Sequence, residues 1–167
     1  FKFSNNYSGM VIAPTGFGKT FSVFLGVVID YMNHPENYKS GMKLLWITPL
    51  RALAKDIAKA MTDALEEIGL DWEVSVRNGD TPKNIRAKHT KKMPDILIIT
   101  PESLHLLLAQ KQHQKFFNKL QCIVVDEWHE LLSSKRGVMT ELAVSRIFSY
   151  QKKLRIWGIT ATIGNLD

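Results

Sequence analysis

The sequence predicts an α/β domain, a mainly parallel sheet with helices on both faces. Three observations lead there. Short apolar runs such as Leu44-Leu45-Trp46-Ile47 and Ile96-Leu97-Ile98-Ile99 show no polar alternation, as strands buried on both faces require. Longer stretches with helical spacing separate these runs. A glycine-rich turn ending in Gly18-Lys19-Thr20 joins the first run to the first helix, the strand–loop–helix order of a phosphate-binding unit.

Each element follows from its own residues. Residues 10–13 are apolar and read as a strand, and residues 19–31 as the helix that the glycine turn opens. Residues 34–41 are a polar loop. A strand is expected over 43–48 and an amphipathic helix over 50–68. Residues 72–77 alternate as a strand, and 82–91 form a short basic helix. Strand 95–99 is followed by helix 102–110. Strand 122–125 is followed by helix 138–150, and strand 154–160 comes last. No internal repeat, low-complexity tract or linker interrupts the series.

Thr48-Pro49, Thr81-Pro82 and Thr100-Pro101 each stand just before an expected helix. Threonine is a good N-cap and proline suits the first helical position. In a parallel sheet such helix starts gather at the carboxyl ends of the strands, where ligands bind. Three starts on one rim offer free N–H groups to a phosphodiester backbone; ordinary capped helices have the same pattern.

The 167 residues suit one domain, and their 45% apolar content suits a buried core. No apolar run approaches the roughly 20 residues that span a bilayer, so no membrane association is expected. The chain opens on Phe1 without a signal pattern. It ends on Gly164-Asn165-Leu166-Asp167 directly after a strand, and it is read as a piece of something larger. The one cysteine, Cys122, lies in the run Gln121 to Val125. It supports no disulfide or cysteine-rich metal site, and reads as a buried thiol in a reducing cytoplasm. The formal charge of +6 leans toward polyanionic partners.

The chemistry is carried by two segments. Ala13-Pro14-Thr15-Gly16-Phe17-Gly18-Lys19-Thr20 is a variant of the G-x-x-x-x-G-K-[ST] loop with Ala at its first position. Gly16 and Gly18 permit backbone conformations that aim N–H groups at phosphates. Lys19 reaches for the β- and γ-phosphates of ATP, and Thr20 for Mg²⁺. Asp126 ends a buried apolar strand, where a carboxylate is costly unless it serves a cation. It is the expected partner of Thr20 on the metal. Glu127 follows it as the candidate general base for an attacking water.

These residues resemble motifs I and II of the superfamily 2 DExH-box helicases. Further segments match in order: Thr48-Pro49-Leu50-Arg51-Ala52-Leu53 resembles motif Ia, and Gly79-Asp80-Thr81 the glycine–aspartate motif. Thr100-Pro101-Glu102-Ser103-Leu104 resembles motif Ib, and Thr160-Ala161-Thr162 motif III with Thr in place of the commoner Ser. The resemblance covers residues 11–164. It implies a RecA-like ATP-binding domain over 1–167, the first of two motor domains in a DNA helicase. His129 would sense the γ-phosphate state, and Thr160, Ala161 and Thr162 would couple hydrolysis to movement. Thr48, Pro49, Arg51, Gly79, Asp80, Thr100, Pro101 and Glu102 would line the nucleic-acid side, with Arg51 the foremost phosphate contact. Asp80 and Glu102 would shape loops.

Asp126-Glu127-Trp128-His129-Glu130-Leu131-Leu132, followed by Ser134-Lys135-Arg136-Gly137-Val138, is similar to the Lhr-type group. Residues 155–166 resemble the DNA-ligase-associated DEXH-box helicases within it. That resemblance implies single-stranded DNA as partner, a bacterial cytoplasmic location, a role in DNA repair and a ligase or nuclease nearby. RNA remains open, since no residue here reads a 2′-hydroxyl, and so does a nucleotide-dependent protein switch. The arginine finger and the adenine-reading segment are expected outside these residues, so the chain alone should turn over ATP very slowly. The cluster Lys83, Arg86, Lys88, His89, Lys91 and Lys92 offers backbone attraction to nucleic acid or a solvated helix face.

Overall fold

A computed structural model describes residues 7–14, 18–132 and 134–161. Its sheet has six strands, β1 (Gly9–Ile12), β2 (Leu44–Ile47), β3 (Val74–Arg77), β4 (Ile96–Ile99), β5 (Cys122–Val125) and β6 (Arg155–Thr160). Their spatial order is β1-β6-β5-β2-β4-β3, and every pairing is parallel. The helices are α1 (Gly18–Asn33), α2 (Arg51–Ile68), α3 (Lys83–Lys91), α4 (Pro101–Leu108), α5 (Gln114–Phe117), α6 (Trp128–Leu131) and α7 (Lys135–Tyr150), with a 3₁₀ turn at Pro35–Asn37.

The unbroken apolar runs have the cause inferred from sequence. All residues of β2, β4 and β5 are buried, and they feed two separate cores. Trp46, Ile98 and Val124 pack under α1 and α2, while Leu45, Leu97 and Ile123 pack under α4 and α7. β1, at the sheet edge, keeps Met10 and Ile12 about half exposed. α7 begins three residues earlier than its apolar pattern suggests. The Ser134 hydroxyl accepts the Gly137 N–H at 3.1 Å and fixes the start. No helix among the described residues is long and apolar enough to cross a membrane.

Two of the three threonine–proline starts differ from expectation. α2 begins after Leu50 and α3 after Pro82, neither with a side-chain cap. Only Thr100 is an N-cap with proline inside the helix, and its hydroxyl bonds Ser103 Oγ rather than a helix N–H. Thr48 Oγ1 accepts from Leu50 N at 3.3 Å, and Thr81 Oγ1 accepts from Asn78 N at 2.9 Å. These hydroxyls close the strand-to-helix turns, so an extended residue intervenes before the helix.

A buried polar trio pins the far end of α1 to β6. Asp30 Oδ2 accepts from Tyr38 OH at 2.5 Å and from Arg155 Nη1 at 2.8 Å. Arg155 Nη2 donates to Tyr38 OH at 2.7 Å. Burial and the Asp30 hydrogen bond push the Tyr38 phenol well above its usual range. Removing one member of a buried pair leaves the other charge uncompensated, at about 3–5 kcal/mol. Arg155→Ala should lower urea-unfolding stability by that amount, and an Asp30→Ala/Arg155→Ala double variant by clearly less than the sum of the singles. Additive losses would show the pair uncoupled.

Candidate nucleotide and nucleic-acid site

Because all strands are parallel, their carboxyl ends form one rim. Strand order divides that rim in two. β1, β6 and β5 lead to Ala13, to Thr160-Ala161 and to Asp126-Glu127. β2, β4 and β3 lead to Thr48, Thr100 and Asn78-Gly79.

On the first half, Lys19 is buried on α1 and donates from Nζ to Ala13 O at 2.8 Å. Ala13 N in turn approaches Thr160 O at 3.4 Å. Pro14 stands beside Ala13 and Thr20 in the first turn of α1. Thr15, Gly16, Phe17 and Thr162 lie outside the described residues.

Asp126 is 4% exposed. Its Oδ2 accepts from Trp46 Nε1 at 3.3 Å and its Oδ1 from Glu127 N at 2.9 Å. Burial, then the neighbouring Glu127 charge, push its carboxyl up to about 6, while these donors and Lys19 pull the other way. The folded value lies above the ordinary 3.8. Asp126 therefore adds stability at low pH that is lost as pH rises through about 6. A buried carboxylate at a strand end suits a hard divalent ion such as Mg²⁺, which favours oxygen donors, and Thr20 in the first turn of α1 is a second candidate oxygen.

Glu127 has φ 49° and ψ 46°, left-handed backbone at a non-glycine residue. Such conformations cost about 1–3 kcal/mol and cluster at functional sites. Its side chain makes no cap bond to α6; Oε2 lies 3.3 Å from His129 Nε2. His129 Nδ1 lies 3.1 Å from the buried Thr160 hydroxyl. Glu127, His129 and Thr160 thus form one polar chain between the ends of β5 and β6. Glu130 Oε1 also stands 3.5 Å from His129 Nε2.

On the second half, Arg51 opens α2 and lies over Gly79. A Cβ at Gly79 would stand 3.1 Å from Arg51 Nη1, so a larger residue there crowds the guanidinium. Arg86 Nη2 donates to Asn78 O at 3.1 Å and to Gly79 O at 2.6 Å, pinning the loop from the other side. Asp80 N is held by Asn78 Oδ1 at 2.9 Å.

The basic cluster on α3 is accordingly smaller than its sequence suggests. Arg86 is spent on this loop. His89 is buried against Ser75 Oγ at 2.8 Å, and burial followed by the Arg77 charge lowers its pKa. Lys88 pairs with Glu73. Lys83 stands near this rim; Lys91 and Lys92 belong to the opposite end of the sheet.

Two residues are given no role by the sequence. Trp46 carries a polar N–H in the middle of an aliphatic strand, and a buried indole usually seeks an acceptor; that is the available signal. Arg136 bridges the two halves. It binds Glu102 through Nε and donates from Nη1 to Pro49 O at 3.1 Å. Burial raises the Glu102 pKa, but the Arg136 hydrogen bond and charge outweigh it and hold the carboxyl below its usual value. Gly137 locks the arrangement, since a Cβ there would fall 2.0 Å from Leu131 O. The segment after Glu127 is therefore braced directly against Pro49 and Glu102. Arg136→Ala in the intact protein should weaken binding of single-stranded nucleic acid about tenfold and leave nucleotide binding within about twofold, the loss expected for one charge-assisted contact network. Titrations with both ligands measure this, and an equal loss for both would contradict it.

The DEAD/DEAH box helicase family matches residues 3–167. ATP-dependent helicase Lhr-Core of Saccharolobus solfataricus is 33% identical over 97% of this chain and 20% of its own length. Mycobacterium smegmatis helicase Lhr, solved bound to ssDNA and AMP-PNP, is 34% identical with a TM-score of 0.75, over 96% of this chain and 21% of that one. The DUF1998 helicase MrfA, solved with DNA and AMPPNP, is 26% identical with a TM-score of 0.79, over 99% of this chain and 23% of that one. The chain thus spans about a fifth of the length of each of these three relatives. With a six-stranded parallel sheet of the RecA-like kind and these matches, the chain belongs to the DEAD/DEAH box helicase family and is homologous to the Lhr helicases.

Proposed function

We propose that this chain is the first RecA-like motor domain of an ATP-dependent DNA helicase or translocase, using Mg²⁺ and single-stranded DNA. The observation that carries the reading is the Glu127–His129–Thr160 chain beside the buried Asp126. Lys19 leaves the Ala13 carbonyl for the β- and γ-phosphates of ATP. Thr20 and Asp126 would hold Mg²⁺, which would supply charge neutralisation at those phosphates. Glu127 accepts a proton from the attacking water as the water oxygen bonds the γ-phosphorus and the bond to ADP breaks. His129 holds Glu127 and reports through the Thr160 hydroxyl to the strand that precedes Ala161 and Thr162.

On the other half, Arg51 meets a DNA phosphate beside Gly79 and Asp80, and the turns at Thr48-Pro49 and Thr100-Pro101 supply free N–H groups. Glu102 acts indirectly, by fixing Arg136. A second RecA-like domain supplies the arginine finger, worth about 10³–10⁵ in rate, so the isolated chain turns over slowly. Similarity to Lhr helicases supports a role in DNA repair. Placement in a bacterial cytoplasm, and a ligase or nuclease as companion, rest on the resemblance of residues 155–166 to ligase-associated helicases.

ATP hydrolysis by the intact protein, measured with single-stranded DNA, with single-stranded RNA and without either, tests the reading. DNA should stimulate hydrolysis, RNA should do so weakly, and Glu127→Gln should cut turnover by about 10² or more while preserving ATP binding. Hydrolysis indifferent to both nucleic acids would replace the motor with a nucleotide-dependent switch, and stronger stimulation by RNA would reassign the substrate.

A further inference from the structure

The rim opposite the nucleotide site, where the strands begin, carries the charge of this molecule. One open hollow there is lined by Lys91, Lys92, Lys111, Lys115 and Lys119. It adjoins a second hollow at Asn118 and Lys119, to which Lys39, Lys152 and Lys153 contribute. These lysines precede β4, β2, β5 and β6, four consecutive strands of the sheet. At about 4.8 Å per strand the tract crosses about 15 Å before side-chain reach is added.

Few of these charges are answered. Two of the three acids bordering the hollows are already engaged, Asp95 by Lys43 and Asp30 by Arg155 and Tyr38, while Glu36 stands exposed 3.6 Å from His34. The eight lysines, with Lys43 and Arg155 set against these three acids, carry a net +7, and all other residues of the chain sum to −1. On the β3 side, the segment from the end of α2 to the start of β3 carries Glu66, Glu67, Asp71 and Glu73, the last paired with Lys88. A polyanion is therefore directed along β4, β2, β5 and β6 and away from the β3 edge.

We propose that this basal tract binds the phosphate backbone of a nucleic-acid duplex, as a contact separate from the single-strand rim. Lysines are point charges suited to phosphates, without the fork that reads base edges. Unstacked bases need aromatic platforms, and rings are sparse here: among the described residues half-buried Phe116 lines the first hollow and His34 the second. A duplex shows its neighbours only regularly spaced phosphates, which matches a tract of dispersed lysines. An acidic peptide is the competing ligand that the experiment separates.

The test neutralises three exposed lysines together, Lys91→Gln, Lys92→Gln and Lys115→Gln, in the intact protein, with circular dichroism to confirm folding. Binding of a blunt DNA duplex, of a single strand and of polyglutamate is followed by anisotropy across a salt series. Duplex affinity should fall at least tenfold at low salt, and the log–log salt slope should become shallower by up to about 2.7, at about 0.9 per phosphate contact. Single-strand affinity should stay within about twofold. Unchanged duplex binding would overturn the proposal. So would equal losses for duplex and single strand, or polyglutamate bound as tightly as the duplex. Arg51→Ala, which should weaken only the single strand, separates failure here from failure of the motor reading.

Discussion

Everything at the carboxyl rim is arranged around one costly group, the Asp126 carboxylate. It ends the fully buried strand β5 and keeps only 4% of its surface exposed. Water cannot solvate it, and two N–H donors do not replace a hydration shell. The fold accepts this carboxylate and, one residue later, a left-handed Glu127. Strained backbone and buried carboxylates of this kind cluster at functional sites.

The same position explains how the two halves of the rim communicate. β5 is the seam of the sheet, paired with β6 on one side and β2 on the other. Trp46 crosses the seam by donating to Asp126. Arg136 crosses it again at the start of α7, joining the segment after Glu127 to Pro49 and Glu102. His129 ties Glu127 to Thr160 in the opposite direction. Side-chain contacts therefore run from Glu127 through His129 to Thr160, from Trp46 to Asp126, and from Arg136 to Pro49 and Glu102. The turns before α2 and α3 are closed by Thr48 and Thr81, without helix caps.

The strands and the helix that opens at Gly18 were legible because they depend on local pattern. A run such as Leu44–Ile47 is apolar on both faces only when both faces are covered, and Gly18-Lys19-Thr20 needs only the strand before and helix after it. Helix starts were less legible, since proline marks a boundary without fixing how many extended residues precede the first turn. The basic stretch around Arg86 and His89 shows a deeper limit. Its residues look alike in sequence, yet the fold turns Arg86 onto Gly79 and buries His89. Trp46 and Arg136 were silent for a related reason: their partners lie 80 residues away for Trp46, and 34 and 87 for Arg136, so only the sheet order brings them together.

The most direct test of this account is to titrate the Asp126 side-chain carboxyl by carbon NMR, first without metal and then with Mg²⁺ and ADP. The account predicts a midpoint near 6 without metal, lowered by more than about one unit once the cation is present. A midpoint near the ordinary carboxylate value in both conditions would contradict it, and would mean that β5 ends in a solvated acid rather than one held for a cation.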